Sequence, residues 1–205
     1  MPDQQTVTAW HEAGHALVAH LCGRLVTAVS ANPRQHFAGA TLLEADAPTG
    51  LPPYGIPMIL KPADYRRGVE VMTTILLAGR AAEQVYLEHR TRTALAQAAT
   101  LTPTRPVAVR TPDTDTDLQH RLEAADRPDL VDDLDAAWRK VRTLTGAEPL
   151  AAAVVRMCEQ QALTLLRQRL PVLQQIADAL GHRDLTGTDL LDIIEGAHDA
   201  THPQA

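Results

Sequence analysis

Residues Trp10–Leu21 read WHEAGHALVAHL, and the rest of the chain is interpreted from this stretch. Its polar and apolar residues alternate with the period of a helix, from about Thr6 or Thr8, either a reasonable N-cap, to Cys22, with Gly23 as the stop. On that helix His11 and His15, four residues apart, stand one turn above the other on a single face. Gly14 falls in the middle, where glycine costs about 1 kcal/mol relative to alanine. A glycine placed there points to another element approaching closely.

Two imidazoles so arranged can bind one Zn²⁺ at the ~2.0–2.1 Å that zinc–nitrogen bonds require. Glu12 lies about 100° round the helix from His11. It flanks the metal without ligating it, where a carboxylate can take a proton from a water that zinc has acidified to a pKa of roughly 7. Two ordinary helix histidines would match H-E-x-x-H by accident in on the order of 1% of chains this long. A zinc site also needs a third protein ligand and an open position for water. Neither H-x-x-G-x-x-H nor a glutamate some twenty residues on follows the motif. Cys22, seven residues beyond His15, is too far along the helix to share the metal and is expected in the core.

Composition narrows the rest. A length of 205 residues suits one domain. Apolar residues are 45%, charged residues 21% and aromatics only 3%, so the core must be built from Ala, Leu and Val, which favours helices. A net charge of −6 without a Lys/Arg run argues against nucleic-acid binding. Two cysteines, Cys22 and Cys158, give no disulfide framework and no C-x-x-C pair, so a cytoplasmic location is expected. The opening residues lack a basic and then apolar leader, and no run approaches the ~20 apolar residues that span a bilayer. The expectation is a soluble chain without membrane insertion.

Along the chain, Leu25–Ala31 and Gly39–Ala45 read as two short strands of a hairpin or ribbon. Five prolines and two glycines make 46–62 a loop. Asp64 caps a long helix to roughly His89, whose apolar stripe runs Val69, Met72, Leu76 and Gly79. Residues 90–114, rich in Thr, Ala and Pro, read as a connection. A helix is expected from Thr116, another over Leu130–Leu144, and strong helicity over Leu150–Leu180 with Pro171 at a break or a new first turn. A last short helix follows with Thr188 as its cap. The predicted fold is mainly α with a small β element near the N-terminus.

HEAGHALVAHL, a strand, an Asn-Pro-Arg turn, a second strand and then LLAGRAAEQVY resemble the peptidase domain of the FtsH-type ATP-dependent zinc proteases. The closing LTGTDLLDII is similar to that domain's ending, so the resemblance covers nearly the whole chain as one domain, with residues 1–125 carrying the metal site and 126–205 the C-terminal helices. The resemblance implies His11 and His15 as zinc ligands, Glu12 as catalytic base, and a third ligand from an S-N-D-[IL] segment. The best match lies in TPDTDTDLQHRL at Asp117-Leu118, with Asp115 and Asp113 as alternatives and His120 as a surface histidine. In AGRAAE, Glu83 continues the apolar stripe of its helix and is a candidate buried carboxylate near the site, with Arg80 as its possible ion-pair partner.

The chain also departs from the family. Gln84 replaces the second glutamate of A-E-E, Asp115-Thr116 stands for S-N, and Gly39-Ala40 for the paired glycines after the turn. Residues 90–114 and 126–149 diverge, and the latter resembles an insertion. No Walker A motif, and so no ATPase domain, occurs in these residues. The expected function is a zinc-dependent metalloendopeptidase cutting unfolded or flexible protein segments, with a separate ATPase or a homo-oligomer as potential partner. The competing expectation is a non-catalytic binding module that recognises a protein partner. Glu12 discriminates, since a fold that merely holds metal has no need of it.

Overall fold

In a computed structural model of the protein, the described residues are 3–32, 39–43, 62–101 and 128–201. They form six helices and three short strands: α1 (Gln4–Leu21), β1 (Val26–Ser30), β2 (Ala40–Leu43), α2 (Pro62–Leu101), α3 (Pro128–Thr145), α4 (Glu148–Gln168), α5 (Leu170–Leu180), β3 (Leu185–Thr186) and α6 (Gly187–Thr201). The fold is mainly α with a small antiparallel sheet near the N-terminus, as the composition predicts.

Helix α1 is buried on all sides from Thr8 to Ala19, packed by α2, α5 and β1. Its small residues make this possible. A Cβ on Gly14 would lie 2.5 Å from both the Ala78 carbonyl oxygen and the Ala82 Cβ of α2, so the two helices meet almost backbone to backbone. Larger side chains fill the space to either side, with Leu17 1% exposed and the Trp10 ring centred 5.0 Å from that of Tyr86, tilted by 40°. A fully buried leucine contributes about 1.5–3 kcal/mol. The helix begins at Gln4, earlier than the Thr6 or Thr8 expected, with Asp3 as N-cap. It stops where expected: Gly23 takes φ +75°, its N–H donates to the His20 carbonyl and that of Arg24 to the Ala19 carbonyl. These are the two bonds of a Schellman cap.

The expected two-strand ribbon is a three-stranded sheet of order β2-β1-β3. Val29 of β1 faces Thr41 on one side and Leu185 on the other. Ser30 donates to Asp184 Oδ1 at 2.6 Å and the Asn32 amide to the same oxygen at 2.8 Å, which holds residues from opposite ends of the sequence together. Among the described residues β2 is an edge strand.

Helix α2 runs twelve residues beyond the His89 expected as its end, to Leu101. Residues 90–101 carry Ala, Leu, Arg and Gln, good helix formers, and no glycine or proline. Helices α3 and α4 pack on α2 around a second apolar cluster that includes Leu77, Val141 and Val155. Arg169 separates α4 from α5, and Pro171 occupies the first turn of α5, where its missing N–H removes no bond. The cap of α6 is Thr186 rather than Thr188. The Thr186 N–H donates to Asp189 Oδ2 at 2.8 Å and the Asp189 N–H to Thr186 Oγ1 at 3.2 Å, a reciprocal capping box. Among the described residues no helix is long and apolar enough to cross a membrane.

Candidate metal centre

His11 and His15 leave α1 on the face covered by α2, and both rings are fixed there. His11 Nδ1 lies 2.8 Å from Glu83 Oε1 and His15 Nδ1 lies 2.7 Å from the Ile75 carbonyl oxygen. A carbonyl only accepts, so the His15 Nδ1 carries the proton; beside a carboxylate the same holds for His11. In its neutral form each ring then has its lone pair on Nε2. Those two nitrogens lie 3.0 Å apart.

Asp133, from the second turn of α3, completes the group. Its Oδ2 is 3.1 Å from His11 Nε2 and 3.0 Å from His15 Nε2. Three basic atoms therefore form a triangle with sides near 3 Å, open on one side to a cleft of about 380 Å³. A tetrahedral site with bonds of ~2.0–2.1 Å has ligand–ligand edges of roughly 3.3–3.4 Å. Only a slight spreading would seat a zinc ion. Two imidazole nitrogens and one carboxylate oxygen are donors that zinc accepts, and His11, His15 and Asp133 together could hold such an ion.

The electrostatics agree with the geometry. Burial of His11 works against a charge, yet hydrogen bonds with Asp133 and Glu83 and the nearby carboxylates of Glu83 and Glu12 outweigh it, pushing the ring up to about 10. Burial likewise opposes charge on Asp133, but its bonds to His11 and His15 hold it well below the usual carboxylate range. A proton on His11 thus serves as the positive charge that this cluster of acceptors demands.

Room for the rings comes from Gly79 of α2. A Cβ there would run into His11 Nε2, and would lie 2.5 Å from His11 Cε1 and from His15 Nε2. Glycine closes the apolar stripe because the imidazole edges occupy the volume of its missing side chain. Glu83 is buried as its place on the stripe predicts, at 3% exposed. Arg80 reaches Glu159 of α4, with Nε 3.7 Å from Oε1.

Glu12, 6% exposed, is clamped by β2. Thr41 Oγ1 lies 2.8 Å from Glu12 Oε2 and 3.2 Å from the Glu12 carbonyl oxygen, so its one proton reaches the carboxylate. A Cβ at Gly39 would sit 2.6 Å from Glu12 Cγ and 2.7 Å from Oε1. The carboxylate lines the same cleft as the three basic atoms, beside β2.

Asp117, the expected third ligand, lies outside the described residues, as do Asp113, Asp115 and His120. Asp133 is the acid that the described structure brings to the histidines, and it comes from the segment read as divergent. The Asp-Leu pair that singles out 117–118 recurs at Asp133-Leu134, on a helix whose Leu134, Ala137 and Val141 turn inward. Cys22 packs against the core, away from the metal group. Compared with models of protein families and with curated proteins, the chain matches none.

Proposed function

We propose that this chain is a zinc-dependent endopeptidase, related to the FtsH-type peptidase domain, that hydrolyses unfolded or flexible protein segments. The observation that carries the reading is the convergence of His11 Nε2, His15 Nε2 and Asp133 Oδ2 at the floor of a cleft that also holds Glu12. Zinc held by those three residues would supply Lewis-acid polarisation of the scissile carbonyl and acidify a water. Glu12 accepts a proton as that water adds to the carbonyl carbon. It returns the proton to the amide nitrogen as the C–N bond breaks, leaving a carboxylic acid and an amine. The Thr41 hydroxyl fixes the carboxylate rotamer for both transfers. Glu83 and the Ile75 carbonyl hold the imidazoles by Nδ1, so that their Nε2 atoms would be the ones to ligate the metal.

The edge of β2 suits an extended peptide, whose backbone would continue the sheet past Glu12. A strand lying there must have its own backbone free, which restricts substrates to unfolded or flexible stretches. A binding module that used zinc only structurally would need neither an open coordination position nor a buried carboxylate braced beside it.

The test is to measure zinc per chain and the cleavage of a fluorescein-labelled unfolded protein, for the wild type and for Glu12→Gln. One zinc per chain, cleavage abolished by chelation and restored by zinc, and a rate lower by at least about 10²-fold in Glu12→Gln are expected. A zinc-loaded wild type no faster than Glu12→Gln would refute it.

A further inference from the structure

A second cleft of about 520 Å³ lies between α2 and α3, lined by Tyr65, Val69, Met72, Arg139, Lys140 and their neighbours. Met72 also lines the cleft of the metal centre, so the two hollows adjoin at that side chain. On α3, Asp133, Ala136, Lys140 and Thr143 follow the spacing of one helical face. The stripe begins at the metal cluster and ends in the second cleft. Its apolar wall is Val69 and Met72, with the half-exposed Tyr65 at the far end.

The charges at that far end are unbalanced. Among the described residues neither Arg139 nor Lys140 has a side-chain ion-pair partner, whereas Arg142, on the same helix, pairs with Glu148 at 3.4 Å. The far end of the groove thus presents two exposed cations in a chain with 25 acidic and 19 basic residues. An anionic side chain entering the groove would meet both cations, with apolar wall for its stem.

Resting on the peptidase reading, we propose that this groove is a substrate subsite selecting an acidic side chain about three residues from the scissile bond. The spacing follows from helix geometry. Asp133 and Lys140 are seven residues apart, or ~10 Å along the axis, and an extended peptide covers that in roughly three residues at ~3.3 Å each.

The experiment digests a denatured protein mixture and maps the new termini by mass spectrometry, for the wild type and for the double variant Arg139→Glu/Lys140→Glu. Asp and Glu are expected to be enriched about five- to tenfold at the third position on one side of the cut, less so at high salt. In the variant the enrichment inverts to Lys and Arg. Identical preferences in both proteins would overturn the proposal. A second measurement does not depend on catalysis: fluorescence anisotropy of labelled peptides, one Glu-rich and one Lys-rich, on zinc-loaded Glu12→Gln. Tighter binding of the Glu-rich peptide, lost on adding the two charge reversals, supports the groove even if the wild type cuts nothing and the peptidase reading falls. Equal binding of both peptides sinks the groove whether or not the protein is a protease. Both substituted side chains are exposed, and an unchanged melting temperature shows that the variant is folded.

Discussion

Replacing Gly79 by alanine sets two effects of opposite sign against each other. Helix propensity alone favours the change by about 1 kcal/mol, since the position lies inside α2. Against it, the new Cβ would lie 2.5 Å from His11 Cε1 and His15 Nε2 and would also meet His11 Nε2. Ordinary contacts begin near 3.5 Å, so both rings must retreat by roughly 1 Å. Neither can do so freely, because Glu83 and the Ile75 carbonyl hold their far nitrogens at 2.8 and 2.7 Å. Overpacking of this kind costs about 1–3 kcal/mol, and misdirected ligands should weaken zinc binding by 10- to 100-fold or more. Gly196 on α6 is the control, since a Cβ there meets nothing within 4 Å. Zinc affinity would be read by competition with a chromophoric chelator, and stability by urea unfolding with and without zinc. Gly196→Ala should be neutral or up to ~1 kcal/mol more stable and bind zinc normally. Gly79→Ala should be less stable and lose most of the stabilisation that zinc gives the wild type. If Gly79→Ala instead matched Gly196→Ala in both measurements, the reasoning about the imidazole edges would be wrong.

Thr41→Val keeps the side-chain shape but removes the hydrogen bond to Glu12, so kcat should fall about 10- to 100-fold with zinc content and KM little changed. A matching loss of zinc would show that Thr41 acts on the fold instead. Asp133→Ala should abolish tight zinc binding while Asp117→Ala retains it, measured as metal per chain after gel filtration; the reverse result would return the third ligand to Asp117. At Glu88, burial opposes the charge but the Arg167 fork, at 2.6 and 3.2 Å, outweighs it and holds the carboxyl low. A depressed carboxylate stabilises above its unfolded pKa, and that contribution is lost as pH falls through the folded value. Arg167→Ala should therefore cost at most ~1 kcal/mol near neutral pH, the pair being solvent-screened, and progressively less in acid; a pH-independent cost would implicate packing of the arginine stem.

The elements that the sequence announces are those with local causes. Helix α1 and its stop at Gly23, the two strands after it, and the break at Pro171 are each read from the residues that form them. Glu83 could be placed because a carboxylate continuing an apolar stripe must find a partner in the interior. Asp133 could not be read in the same way, since nothing within its own helix says that this face meets residues more than a hundred positions earlier. Asp-Leu occurs in both segments, and only tertiary packing brings Asp133 to the histidines. Residues 90–101 were misleading for another reason: threonines among alanines resemble a connection by composition, but without glycine or proline nothing ends the helix. β3 is two residues long and has no local signature; its pairing with β1 creates it.

That pairing gives the chain an order of assembly. Glu12 is clamped by β2, β2 is held by β1, and β1 is completed by residues 184–186. During synthesis at about 5–20 residues per second, residue 184 follows residue 12 by roughly 10–30 s. The sheet that braces the carboxylate beside the two histidines is therefore completed only after that interval. A chain that ends before residue 184 lacks the third strand and the Asp184 bond that tie β1 in place.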